Sequence, residues 1–146
     1  MVDVTTTIII SVPKEKVSAY AANPDNAPQW YKNIKSVEWK TQKQLVSGSQ
    51  IAFKAKFLGK ELSYTYEITQ FIPVEKLVMR TAEGPFPMET TYQWLAIDND
   101  STLMTLRNMW QPSGFSKLFA PFMALAMKRA NKKDLALIRS ILEKNN

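Results

Sequence analysis

Two hydrophobic periodicities divide this chain of 146 residues. From residue 34 to residue 110 apolar and polar side chains alternate with a period of two, which is typical of half-buried β-strands. Residues 2–12 alternate in the same way and are rich in threonine, isoleucine and valine. From residue 115 to residue 144 the apolar positions recur at close to helical spacing instead. The pattern therefore predicts a protein made mostly of strands and closed by one long amphipathic helix.

Turn-forming residues cut the alternating region into separate strands, with links short enough for an antiparallel meander. Before that region, Pro13 suits the first turn of a helix, and a second short helix is expected over residues 25–30. Pro121 lies inside the long helical pattern and removes one backbone hydrogen bond, so we expect a kink or a break into two helices there. The predicted strands are residues 2–12, 34–40, 51–57, 62–72, 77–83, 90–97 and 102–110.

This order of elements favours an α+β fold in a single domain, residues 1–146. A curved antiparallel sheet of about seven strands would wrap around the C-terminal helix, and the two short helices would plug one end. The first half of the helix is expected to form a wall of a binding cavity. Its apolar stripe consists of Phe115, Phe119, Phe122, Met123, Ala126 and Ala130, with Leu118 and Met127 at the edges.

The amino-acid composition excludes several kinds of chemistry. Cysteine and histidine are both absent, which removes disulfides, thiolate nucleophiles, histidine bases and the commonest metal ligands. The segment Asp98-Asn99-Asp100 lacks the glycine and glutamate of an EF-hand loop, and the four glycines are too scattered to hold a phosphate. We therefore predict no metal site and no cofactor, and catalysis would depend on carboxylates, lysine, tyrosine or ordered water.

The chain carries a net charge of +6, with one cluster of cations at Lys128, Arg129, Lys132 and Lys133. We interpret this cluster as the solvated face of the helix; the alternatives are weak contact with an anionic membrane surface or contact with a nucleic acid. DNA is not an expected partner, because no groove-reading motif is present. No segment reads as a signal peptide or a membrane span, so a cytoplasmic location is expected.

Four segments look like parts of one known family. Residues 8–17 (IIISVPKEKV) look like its first strand and helix, and residues 23–31 (NPDNAPQWY) like its second short helix. Residues 98–106 resemble the turn into its last strand, and residues 134–143 resemble the end of its C-terminal helix. The family is the START-like, or SRPBCC, superfamily, particularly its bacterial polyketide cyclase/dehydrase-type proteins. The resemblance covers nearly the whole chain and implies the helix-grip fold.

Inward-facing strand positions are predicted to line a mostly apolar cavity with a few polar groups. Asn108 shares a face with Leu106 and Trp110, and a buried asparagine needs a backbone or ligand partner. Arg80 falls on the opposite register from Met79 and should face outward. Phe53, Phe57 and Thr81 also belong to the inward face. The predicted ligand-binding residues are Tyr64, Tyr66, Met79, Tyr92, Trp94, Met104, Asn108 and Trp110 of the strands and Phe115, Phe119, Phe122 and Met123 of the helix.

Three functions fit this pattern. The favoured one is binding of a small hydrophobic or aromatic molecule, such as a lipid, an isoprenoid or a polyketide-like compound. The second is a cyclase or dehydratase acting on such a compound, which the lack of histidine and of a convincing buried carboxylate weakens. The third is an interaction module without a small ligand, which would have a filled interior and would use the basic helix face or an exposed sheet edge. No catalytic residue is assigned, and the protein would act as a monomer or a homodimer.

Overall fold

The computed structural model describes residues 1–57, 59–85, 87–112 and 116–144. Within these residues the predicted α+β architecture is confirmed. The helices are α1 (Lys14–Ala22), α2 (Ala27–Trp30) and α3 (Ser116–Lys144), and a 3-10 turn at Pro24–Asn26 precedes α2. The strands are β1 (Val2–Ile10), β2 (Ile34–Trp39), β3 (Gln50–Phe57), β4 (Lys60–Ile72), β5 (Lys76–Glu83), β6 (Met88–Asp98) and β7 (Ser101–Trp110).

The strands form one antiparallel sheet in the order β1-β7-β6-β5-β4-β3-β2. Strands β2 to β7 follow one another as a meander, whereas β1 pairs with β7 in a register from Val2↔Trp110 to Ile10↔Thr102. The first and last strands of the chain are therefore neighbours, and β1 and β2 are the two edges. Helix α3 packs against β1, while α1 and α2 close one end of the sheet.

The period-two alternation assigned the faces of the sheet correctly. On β7 the even-numbered residues from Thr102 to Trp110 are buried, and the odd-numbered ones between them are partly or fully exposed. Arg80 points outward as predicted, where it forms an ion pair with Glu89. Trp30, at the end of α2, is 1% exposed and packs into the core.

Helix α3 continues through Pro121 as one helix, so a break into two helices is wrong. Leu135 and Ile138 in its second half are fully buried. In the first half, Met123 and Met127 face the sheet. No helix in the described part of the chain is long and apolar enough to cross a membrane.

The predicted orientation of the first half of α3 needs correction. Phe119 is 56% exposed and Phe122 is 61% exposed, so both rings point away from the sheet. Apolar residues occupy so much of the circumference here that their spacing does not define one inner side. Phe115 lies outside the described residues.

Candidate functional site

A cavity of about 140 Å³ lies between the concave face of the sheet, the short helices and α3. Most of its wall is apolar, and residues from every helix and from β2 to β7 contribute to it. The apolar lining residues are Ala21, Ala22, Pro24, Ala27, Ile34, Phe53, Ala55, Leu62, Leu77, Met79, Pro85, Met88, Trp110, Met123, Met127 and Ala130.

The structure brings seven of the predicted ligand-binding residues to this cavity. They are Tyr64, Tyr66, Met79, Tyr92, Asn108, Trp110 and Met123. Trp94 and Met104 do not line it, although both are buried, because they are cross-strand partners packed in the core beyond its end. Phe119 and Phe122 are exposed on the other side of α3. The face of the sheet on which a residue lies therefore does not by itself decide whether it lines the cavity, because its position along the strand also matters.

A chain of side-chain hydrogen bonds crosses one wall of the cavity. The Thr90 hydroxyl donates to Oδ1 of Asn108 at 2.9 Å, and the Tyr66 hydroxyl lies 3.0 Å from Thr90 Oγ1. Because Thr90 uses its proton on Asn108, Tyr66 is the donor in the second bond. Thr90 and Asn108 sit directly opposite each other on β6 and β7. The buried Asn108 oxygen is thus satisfied by a neighbouring strand.

A second polar pair lies where α2 meets the sheet. The hydroxyls of Tyr31 and Tyr92 are 2.6 Å apart, and Trp30 packs against both rings with centroid distances of 4.1 Å and 5.7 Å. Sequence reasoning missed Tyr31, because it follows a very short helix whose orientation no periodicity reveals.

Burial keeps the cavity tyrosines protonated. It raises the pKa of Tyr66 to about 12. Burial also raises the pKa of Tyr31, Tyr64 and Tyr92 far above the ordinary tyrosine value. At neutral pH these groups are therefore neutral hydroxyls, which can form hydrogen bonds with a ligand.

Asp134 on α3 is the carboxylate that the sequence analysis missed. It lines the cavity and is only 2% exposed. Burial raises the pKa of its carboxyl group to about 6, against a smaller lowering by the hydrogen bond from the backbone N–H of Lys32 to Oδ1 and by the charge of Lys32. The adjacent basic cluster favoured an outer face, but Asp134 follows Met123, Met127 and Ala130 at helical spacing, which was an available signal.

Asn131 lies one turn before Asp134 on the same helix and also lines the cavity. Its side chain is buried, and Nδ2 has no hydrogen-bond partner within the described residues. A buried amide without a partner costs about 1–3 kcal/mol. Asn131 and Asp134 together give this part of the cavity both a donor and an acceptor.

The loop after β5 brings the backbone close to the cavity wall. Gly84 has a φ of 155°, and a Cβ atom on it would lie 2.8 Å from Cβ of Tyr64. Only glycine fits there without displacing Tyr64. The following Pro85 lines the cavity and is exposed, which places the mouth at this loop.

The polar groups of the cavity are hydroxyls, side-chain amides and one carboxyl group. Among the described residues, no cluster of three or more carboxylates is placed to hold a metal ion. The cavity offers neutral tyrosine hydroxyls, the amide N–H groups of Asn131 and the carboxyl group of Asp134, whose pKa burial raises to about 6. Such a set can orient a polar group of an otherwise apolar molecule.

Comparison with known proteins gives one family and several similar structures. A family model described as polyketide cyclase / dehydrase and lipid transport matches residues 1–143. Protein TTHA0849 from Thermus thermophilus is 17% identical, with a TM-score of 0.84 over 99% of both chains. A START superfamily protein from Mycobacterium smegmatis is 13% identical, with a TM-score of 0.82 over 100% of both chains.

An aromatase/cyclase, Zhui from a Streptomyces species, has a TM-score of 0.79 at 18% identity and covers 97% of this chain and 93% of its own. At such low identities these structures show the fold alone. A search of curated proteins gave no match.

Proposed function

Because this chain belongs to the polyketide cyclase / dehydrase and lipid transport family, we propose that it binds a small, largely apolar or aromatic molecule between its sheet and α3. The observation that carries the proposal is a cavity with an apolar wall and a few polar groups inside the fold. Ligand sites in proteins commonly combine these two features. A solid core, the alternative from the sequence, would leave no such space.

The size and polarity of the cavity describe the ligand further. An apolar cavity of about 150 Å³ is large enough to bind benzene, so 140 Å³ accommodates about one aromatic ring or a short chain. A longer molecule, such as a lipid, an isoprenoid or a polyketide-like compound, would extend through the mouth beside Pro85. Its polar group would meet Asn131 and Asp134 or the tyrosine hydroxyls.

Filling the cavity tests this proposal. Ala55 lines the cavity, so Ala55→Leu places a larger apolar side chain inside it. The uncharged fluorescent dye N-phenyl-1-naphthylamine has a naphthyl and a phenyl group, so part of it would occupy the cavity and the rest would extend through the mouth. We expect the variant to bind this dye at least about tenfold more weakly than the wild type, because the added atoms occupy the ligand's space. Dye fluorescence titration measures the dissociation constant, and chemical denaturation shows whether the variant stays folded.

Ala52→Leu is the matched control. Ala52 lies on the same strand but outside the cavity lining, so this variant should bind the dye as the wild type does. A wild-type protein that binds no dye, or equal binding by the wild type and Ala55→Leu, would contradict the proposal.

A cyclase or dehydratase is the second candidate, and Asp134 is the observation that favours it. A carboxyl group with a pKa of about 6 is suited to accept a proton from a carbon next to a carbonyl group at neutral pH. The neutral tyrosine hydroxyls could stabilise the charge that develops on the carbonyl oxygen. Catalysis would then require the carboxylate, whereas simple binding would not.

Asp134→Asn separates the two functions. If the protein is an enzyme, this variant should lose about 10²-fold or more in cyclisation or dehydration of a poly-β-keto thioester, followed by mass spectrometry, while its dye affinity stays close to that of the wild type. If the wild type does not convert such substrates, the enzymatic candidate fails and the binding proposal stands on the dye titration.

A further inference from the structure

The outer side of α3 exposes large apolar residues in its first half. Leu118 is 76% exposed, Phe122 is 61% exposed and Leu125 is 51% exposed. Their spacing of four and then three residues places them in one row along the helix. Phe119 lies beside this row and is 56% exposed. A contiguous apolar patch of this kind on a protein surface commonly marks an interaction site.

Toward the middle of the helix, the next positions of the same row are occupied by basic residues. Arg129 and Lys132 follow Leu125 at spacings of four and three, and both are exposed. From residue 116 to residue 133 the sequence has five lysine or arginine residues and no aspartate or glutamate. We define the outer face of α3 as Leu118, Phe122, Leu125, Arg129 and Lys132; it is apolar at one end and purely cationic at the other.

This distribution of charge disfavours a second copy of the chain as the partner. Two parallel copies would place cations against cations. Two antiparallel copies would place Arg129 and Lys132 against apolar side chains, since the face carries no carboxylate that could pair with them. A surface that combines anionic groups with accessible hydrocarbon would satisfy both ends at once.

We propose that the outer face of α3 docks on an anionic lipid bilayer. The apolar end would insert between the lipids, as amphipathic helices with leucine and phenylalanine do, while the cationic end would contact the anionic headgroups. On the opposite side of the same half-helix, Met123 and Met127 line the cavity. Docking therefore places one wall of the cavity next to the membrane.

Co-sedimentation with vesicles tests this proposal. The full-length protein should bind vesicles of phosphatidylcholine mixed with phosphatidylglycerol, and bind vesicles of phosphatidylcholine alone much more weakly. High salt should release it, because salt screens the attraction. The double variant Leu118→Ser/Phe122→Ser should bind at least about tenfold more weakly, and Arg129→Gln and Lys132→Gln should each weaken binding about fivefold.

Matched controls lie on the sheet. Leu95 is 61% exposed, as Phe122 is, but it lies on β6, so Leu95→Ser should bind vesicles normally. Lys54→Gln on β3, also an exposed position, should do the same. Ala55→Leu should keep vesicle binding even if it loses the dye, so failure of docking and failure of the proposed function can be distinguished.

Three results would overturn the proposal. One is no binding to the anionic vesicles, which would leave an acidic protein as the better partner for this face. Another is unchanged binding by Leu118→Ser/Phe122→Ser. The third is a wild-type dimer in size-exclusion chromatography that this double variant converts to a monomer, because the outer face would then join two copies.

Discussion

Asp134→Asn is expected to gain about 2 kcal/mol of stability relative to the wild type as the pH rises from 4 to 7. Burial raises the pKa of Asp134 from 3.8 to about 6 in the folded protein. Between these two values the folded state binds more protons at this site than the unfolded state does. The free energy of unfolding of the wild type therefore falls as the pH rises through this window.

The destabilising effect of the buried Asp134 carboxyl group develops over a definite pH range. Well below pH 3.8 the carboxyl group is protonated in both states and costs nothing, and well above pH 6 it is ionised in both, with the full penalty present. Asparagine has no ionisable group, yet its amide oxygen can still accept the hydrogen bond from Lys32. The variant should thus keep the local contact and lose the pH dependence.

Denaturant unfolding at pH 4 and pH 7 measures this effect. Asp100→Asn, at an exposed position in the turn between β6 and β7, is the control, and its difference from the wild type should stay nearly constant. If the difference between Asp134→Asn and the wild type were also the same at both pH values, Asp134 would not be a buried group with a raised pKa. Its suitability as a base in the cavity would then fail as well.

Trp30→Ala should lower the free energy of unfolding by about 4 kcal/mol. Trp30 is 1% exposed, and its ring packs against Tyr31 and Tyr92. Truncation removes that packing and leaves a void between α2 and the sheet. The pair of hydroxyls on Tyr31 and Tyr92 would lose the ring that supports it, so dye binding should weaken too.

Trp39→Ala is the comparison for this experiment. Trp39 is only partly buried, and its indole N–H donates to Asp25 at the surface, so its loss should cost clearly less in the same denaturation assay. Trp30→Phe should also cost less than Trp30→Ala, because it keeps a ring in place and removes an indole N–H that has no partner among the described residues. Equal losses for Trp30→Ala and Trp39→Ala would show that Trp30 does not anchor α2.

The strands show which structural features the hydrophobic pattern of the sequence predicts. Alternation predicted β7 over residues 102–110 and placed Asn108 and Trp110 inward, and the strand runs from Ser101 to Trp110 with both residues buried. The prediction succeeds because side chains of a strand point alternately to two faces. It could not separate Tyr92, which lines the cavity, from Trp94 on the same face, which does not.

Helix α3 shows most clearly what the hydrophobic pattern could not predict. Its extent was predictable, whereas the side facing the sheet was not, because apolar residues surround most of its first half. In the structure, the row of residues with Met123 and Met127 faces the sheet, whereas Phe119 and Phe122 are exposed. The same orientation of α3 buries Asp134, a charged residue beside a basic cluster, which hydrophobicity alone would place outside.

The sequence by itself determined the family, the order of helices and strands and the face of each strand, because these depend on local periodicity and on motifs along the chain. The tertiary structure alone decided where the cavity lies, which side of α3 lines it, and that Asp134, Asn131 and Tyr31 contribute to it. Those features depend on how distant segments pack. Packing places residues 31, 92 and 134 around one cavity, and their spacing along the chain does not predict that they lie close together.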